Sequence, residues 1–94
     1  MDEYRLLYSE TSRNQILKLH PELKSIIRTR LDMIKKEPYI GKQLERELSA
    51  YRSVRAKRYR IVYKLNEATR TIEIHYVGHR KDVYQLFSEQ VLRF

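Results

Sequence analysis

Ninety-four residues make one domain, 1–94, and a chain of this size buries only about 60 to 65 per cent of the surface its unfolded form exposes, so a small core must carry the stability. The absence of cysteine excludes disulfides and thiolate metal ligands, and with 34% charged residues and no apolar run near the roughly 20 residues that cross a bilayer, a soluble protein is expected. The net charge of +8 is concentrated in one third of the chain: residues 51–81 hold nine Lys and Arg against Glu67 and Glu73, a balance of +7, whereas residues 1–50 balance at +2 and 82–94 at −1.

In chain order, "YRLLYS" (Tyr4 to Ser9) is short, aromatic and apolar, and predicts an opening strand. A helix follows, with Ser9 or Thr11 as its N-cap and Ile16, Leu17 and Leu19 as its apolar edge. His20 and Pro21 interrupt it, and Pro21 suits the first turn of a second helix. That helix carries Leu23, Ile26, Ile27, Leu31 and Ile34 at spacings of three and four, and should end before Pro38, since a residue preceding proline avoids the helical region. Residues 39–48 form a connector with a turn at Gly41.

From Tyr51 the period changes to two. "YRSVRA" predicts a strand with Val54 and Ala56 toward the core and Ser53 and Arg55 on the other side. In "YRIVYKLN" Tyr59, Ile61, Tyr63 and Leu65 oppose Arg60, Val62 and Lys64; in "TIEIHYVG" Ile72, Ile74 and Tyr76 oppose Glu73, His75 and Val77. The loop between them begins at Asn66. The tail predicts an amphipathic helix with Val83, Leu86, Phe87, Val91 and Phe94 on one stripe, Asp82 at the N-cap and Gln85 three residues on. The expected fold is α+β: an antiparallel-rich sheet on an N-terminal helical hairpin, ordered β-α-α-β-β-β-α, with arginines on the second sheet face.

His20, His75 and His79 lack the spacing of metal ligands, so no metal is expected, and no cofactor, because phosphate-cradling glycine loops and nucleophile elbows are absent from the sequence. What remains is a cationic cleft for a phosphodiester. Arg55 and Arg60 share a non-core face, and Arg80 ends the next strand beside a helix N-terminus, whose partial positive charge adds to its own. Forked guanidinium donors match phosphate oxygens and the added negative charge of a pentacovalent transition state. Tyr84 flanks the apolar stripe of the last helix and suits base stacking or proton transfer. His79 or Lys57 is better suited than any arginine to accept a 2′-OH proton. Arg52, Lys57, Arg58, Lys64 and Lys81 are the remaining RNA-binding cations; Arg52 shares the parity of Val54, which turns it toward the core side or the sheet edge.

"LSAYRSVRAKRYRIVYKL" followed by "IEIHYVGHRKDVYQLF" resembles the RelE/ParE superfamily of toxins from prokaryotic toxin–antitoxin systems, and the element order matches over nearly the whole chain. The resemblance implies a compact sheet, two N-terminal helices and a basic concave face. In the RelE branch it implies a metal-independent endoribonuclease that cuts mRNA in the ribosomal A site through 2′-OH attack. Carried over by position, the family's strand arginine falls on Arg60, the arginine after "VG-basic" on Arg80, and the tyrosine opening the last helix on Tyr84. Its upstream basic pair falls on Arg52 and Arg55. Arg60, Arg80 and Tyr84 together favour the RelE branch over ParE-like gyrase inhibition, and a basic RNA-binding module without catalysis is the third alternative. Where many relatives carry a Gly-Asp turn before "YR", this chain has Lys57 and Arg58. The resemblance further implies a RelB-like cognate antitoxin, the ribosome and mRNA as partners, and a cytoplasmic location.

Overall fold

The computed structural model describes residues 4–91. The elements are β1 (Arg5–Tyr8), α1 (Glu10–Leu17), α2 (Pro21–Lys36), β2 (Lys42–Gln43), a 3-10 turn (Arg46–Leu48), β3 (Tyr51–Ala56), β4 (Tyr59–Asn66), β5 (Thr71–His79) and α3 (Val83–Val91). The α+β order expected from the sequence is present, with the two-residue β2 added. The five strands lie in the order β1-β5-β4-β3-β2; β1 runs parallel to β5 and every other pair is antiparallel.

Local chemistry explains the element ends. Ser9 caps α1 by accepting the Ser12 N–H, and Pro21 sits in the first turn of α2, which His20 caps through its ring nitrogen. α2 stops at Lys36, two residues short of Pro38, and buries Ile27, Leu31 and Ile34. With Ile61, Tyr63, Ile72, Ile74, Val77 and Ala56 these residues form the larger core, between the helical hairpin and one sheet face. Leu17, expected on the apolar edge of α1, is instead exposed, because Ser12 takes the buried position of that short helix.

The opposite face is not wholly open. Val83 and Phe87 of α3 pack on Val62 and Tyr76, with Leu44, Leu48, Tyr51 and Val91 around them. Leu86, expected on the same stripe, is exposed, and Phe94 lies outside the described residues.

Tyr76 is also a correction to simple alternation. The ladder pairs Val62 with Tyr76 but Tyr63 with Ile74, so His75 is an extra residue on β5. Past this bulge the parity inverts: Tyr76 faces α3 and Val77 the hairpin. The start of α1 satisfies the backbone of this region. Ser12 Oγ donates to the Ile74 carbonyl at 2.8 Å, Ser9 Oγ to the His75 carbonyl at 3.2 Å, and Gln15 Oε1 accepts the Val77 N–H at 2.7 Å.

Candidate nucleic-acid interface

The β3–β4 hairpin builds the site. Arg55 pairs with Arg60 and Ser53 with Val62, so Ser53, Arg55 and Arg60 project to the face that carries α3. The β4–β5 register continues past the strand end, where the Arg80 N–H donates to the Arg58 carbonyl at 2.7 Å. That register puts Arg58 and Arg80 on the same side as Arg60. α3 covers Val62 and Tyr76, leaving this end of the sheet uncovered, with Arg55, Arg58 and Arg80 exposed.

The centre is a hydroxyl. Ser53, 2% exposed, accepts from Arg60 Nη1 at 3.2 Å and lies 3.0 Å from the Tyr84 hydroxyl. The Arg60 guanidinium stands 5.8 Å from the Tyr84 ring centroid, within cation–π range. Tyr84 is 38% exposed, so part of the residue remains open to a ligand while its hydroxyl bonds Ser53. Among the described residues no carboxylate forms a salt bridge with Arg55, Arg58, Arg60 or Arg80. Arg60 stands beside the phenol, and guanidiniums on one face with no carboxylate partner among the described residues attract phosphate and can give it forked donors, although Arg55 Nε also donates to the Lys57 carbonyl at 3.2 Å.

Other residues expected here lie elsewhere. His79 pairs with Tyr59 on the hairpin side of the sheet, its ring centroid 5.8 Å from that of Tyr59, and does not join the Arg60 cluster. Arg52 pairs with Tyr63, also on the hairpin side, and Arg52 Nη1 donates to the Gly41 carbonyl at 2.8 Å. Its guanidinium holds the 39–41 turn, on the side of the sheet away from the Arg60 cluster. Lys64 shares the Arg60 face at the far end of the strand, its ammonium 5.9 Å from the Tyr51 ring. Lys57 and Lys81 are exposed in the turns that bracket the site. Sequence reasoning did not single out Ser53 as part of the site, although its parity with Arg55 was the available signal.

The chain bears these features on a fold shared with known toxins. A family profile described as "ParE toxin of type II toxin-antitoxin system, parDE" matches residues 2–84. Toxin RelG of Mycobacterium tuberculosis is 32% identical over 84 residues, covering 87% of this chain and 97% of that protein. The toxin–antitoxin complex RelBE2 of the same organism contains a chain 30% identical, with a TM-score of 0.75, covering 84% of this chain and 100% of that one. A free double-arginine mutant of the Escherichia coli toxin RelE is 21% identical and shares the fold, with a TM-score of 0.78 over 99% of both chains. Fold and sequence together therefore define a toxin of a type II toxin–antitoxin system. The chain belongs to the RelE/ParE superfamily.

Proposed function

We propose that this toxin is a metal-independent, ribosome-dependent mRNA endoribonuclease of the RelE branch. The observation that carries the proposal is the Arg60–Ser53–Tyr84 cluster on a face whose arginines have no carboxylate partner among the described residues. In the reaction the 2′-oxygen attacks the adjacent phosphorus and its proton passes to a base. The bond from phosphorus to the 5′-oxygen breaks and that oxygen takes a proton, leaving 2′,3′-cyclic phosphate and 5′-hydroxyl ends.

Arg60, Arg80 and Arg55 stabilise the charge that accumulates on the phosphoryl oxygens. With the His79 ring turned to Tyr59, proton handling falls to Tyr84, whose hydroxyl Ser53 holds, and to Lys57 in the adjoining turn. Arg58 and Lys81 extend the phosphate path on either side. The proposed partners are the ribosome with its mRNA and a RelB-like antitoxin, in keeping with toxin–antitoxin complexes among the structural neighbours. The proposed location is the cytoplasm; no helix among the described residues is long and apolar enough to cross a membrane.

The test is cleavage of mRNA on programmed ribosomes with mapping of the new ends. Arg60→Ala or Arg80→Ala should each slow cleavage by about 10²–10³, the effect of removing one preorganised charge-stabilising donor. An intact message with the wild-type protein would overturn the proposal. One observation favours a second reading, gyrase inhibition without cleavage: the ParE description of the matching family profile. Inhibition of DNA supercoiling by a protein that leaves mRNA intact would establish it.

A further inference from the structure

Strand β2 stands at the sheet edge beside the Ser53 cluster, and its first residue, Lys42, pairs with Ser53 across an antiparallel ladder. Directly opposed residues of such a pair project to the same face, with Cα atoms about 4.5–5.5 Å apart. The Lys42 ammonium thus belongs to the face on which Ser53 bonds Arg60 and Tyr84. It is exposed, and among the described residues no carboxylate pairs with it.

Two residues are too few to hold a strand by ladder bonds alone; the Gln43 side chain and the Leu44 N–H bond the Ser49 and Tyr51 carbonyls on one side, and a buried clasp fixes the other, where the chain enters Lys42. The Tyr63 hydroxyl donates to the Pro38 carbonyl at 2.7 Å and accepts the Gly41 N–H at 2.9 Å. Arg52 closes the turn from the other side through the Gly41 carbonyl, its guanidinium 5.0 Å from the Tyr39 ring centroid. Gly41 is required by the close approach, because a Cβ there would stand 2.5 Å from the Tyr63 hydroxyl. Burial pushes the Tyr63 phenol up, against the pull of the Gly41 bond and the Arg52 charge, and so keeps the hydroxyl a donor. The chain leaves this clasp directly into Lys42.

We propose that Lys42 contacts a phosphate of the bound strand next to the one held by Arg60, and that Tyr63, Gly41 and Arg52 are positioning residues that set it there. This rests on the assignment of the face to RNA, but not on whether the RNA is cut.

The experiment is binding of a single-stranded RNA oligonucleotide to the full chain over a range of salt concentrations. Lys42→Gln should lower the slope of log K against log salt by about 0.7, one phosphate contact on a single strand, and Lys42→Arg should restore it. Tyr63→Phe, which keeps the ring and loses both hydroxyl bonds, should give the same drop, and adding Lys42→Gln to it should remove no more. Arg52→Gln serves as the clasp variant if circular dichroism shows Tyr63→Phe unfolded. Arg60→Ala reports on the face itself. A lowered slope for Arg60→Ala with a wild-type slope for Lys42→Gln overturns the assignment of Lys42 and leaves the RNA face standing. A drop for Lys42→Gln but not for the clasp variants overturns the positioning role. No binding by the wild type overturns both. RNA binding with intact message on ribosomes removes the nuclease and leaves Lys42 in place.

Discussion

A serine hydroxyl has one hydrogen to donate and two lone pairs. At Ser53 one lone pair takes the Arg60 donor, and the remaining hydrogen and lone pair suit a bond of either direction with the Tyr84 hydroxyl 3.0 Å away, which fixes where the phenol sits. Ser53→Ala should therefore slow RNA cleavage by about 10-fold, roughly 1.4 kcal/mol of transition-state stabilisation. Stability should fall by only about 1 kcal/mol, because Arg60 and Tyr84 lie near enough to water to rehydrate. Single-turnover cleavage and a thermal melt of the same variant separate the two; a lowered Tm with unchanged cleavage would make Ser53 a packing residue alone. Arg60 was legible in the sequence from charge and parity, and Arg80 from charge and its strand-end position alone, since unbroken alternation from Ile72 would turn Arg80 coreward and only the bulge at His75 shifts the phase. Ser53 and Lys42 were not, since a serine in a strand has no motif and a two-residue strand has no periodicity. The His79 side chain was misplaced because the bulge at His75 inverts the parity of β5, so that His79 pairs with Tyr59 on the hairpin side.

At the scale of elements, the tight β3–β4 turn carries a cost that its sequence does not advertise. Lys57 has φ 56° without being glycine, a left-handed conformation that is strained for a side chain with a Cβ. Lys57→Gly should raise stability by up to about 1 kcal/mol, a Tm increase of about 4–8 °C for a domain of this size. A melt with unchanged or lower Tm would show that the added unfolded-state entropy of glycine outweighs the strain. The helical hairpin and the β4 alternation were readable because both periods run unbroken. The β5 alternation was readable only to Ile74, where one inserted residue shifts the phase. On α3 the stripe read from spacing was one residue too broad, since docking on Val62 and Tyr76 uses Val83 and Phe87 and leaves Leu86 outside.

Across the whole molecule, the sheet divides two cores of unequal size, and the smaller one depends on a single nine-residue helix. A helix of that length has little stability of its own and holds its form by docking. Phe87→Ala, a truncation of the kind that costs about 3–5 kcal/mol in a packed core, should release α3 and leave the hairpin-side core folded. Hydrogen exchange should show α3 amides losing protection while those of β4 and β5 keep theirs; loss across all three would mean one cooperative unit. Since Tyr84 rides on α3, release of the helix would also take that hydroxyl away from Ser53 and Arg60.

The bulge at His75 bears on how the length of this chain can vary. Lengthening a surface loop such as residues 67–70 adds only a slowly growing closure entropy, about 0.6 kcal/mol for each doubling. Between Ile74 and Val77 there is no such latitude. One residue more or fewer would exchange the partners of Tyr76 and Val77 and misfit both cores at once, while unseating the bonds from Ser9, Ser12 and Gln15. Insertions and deletions are thus tolerable at the tips of the hairpins and barred from the middle of β5, where the spacing between two binding partners of the strand, rather than any one side chain, is what must be inherited intact.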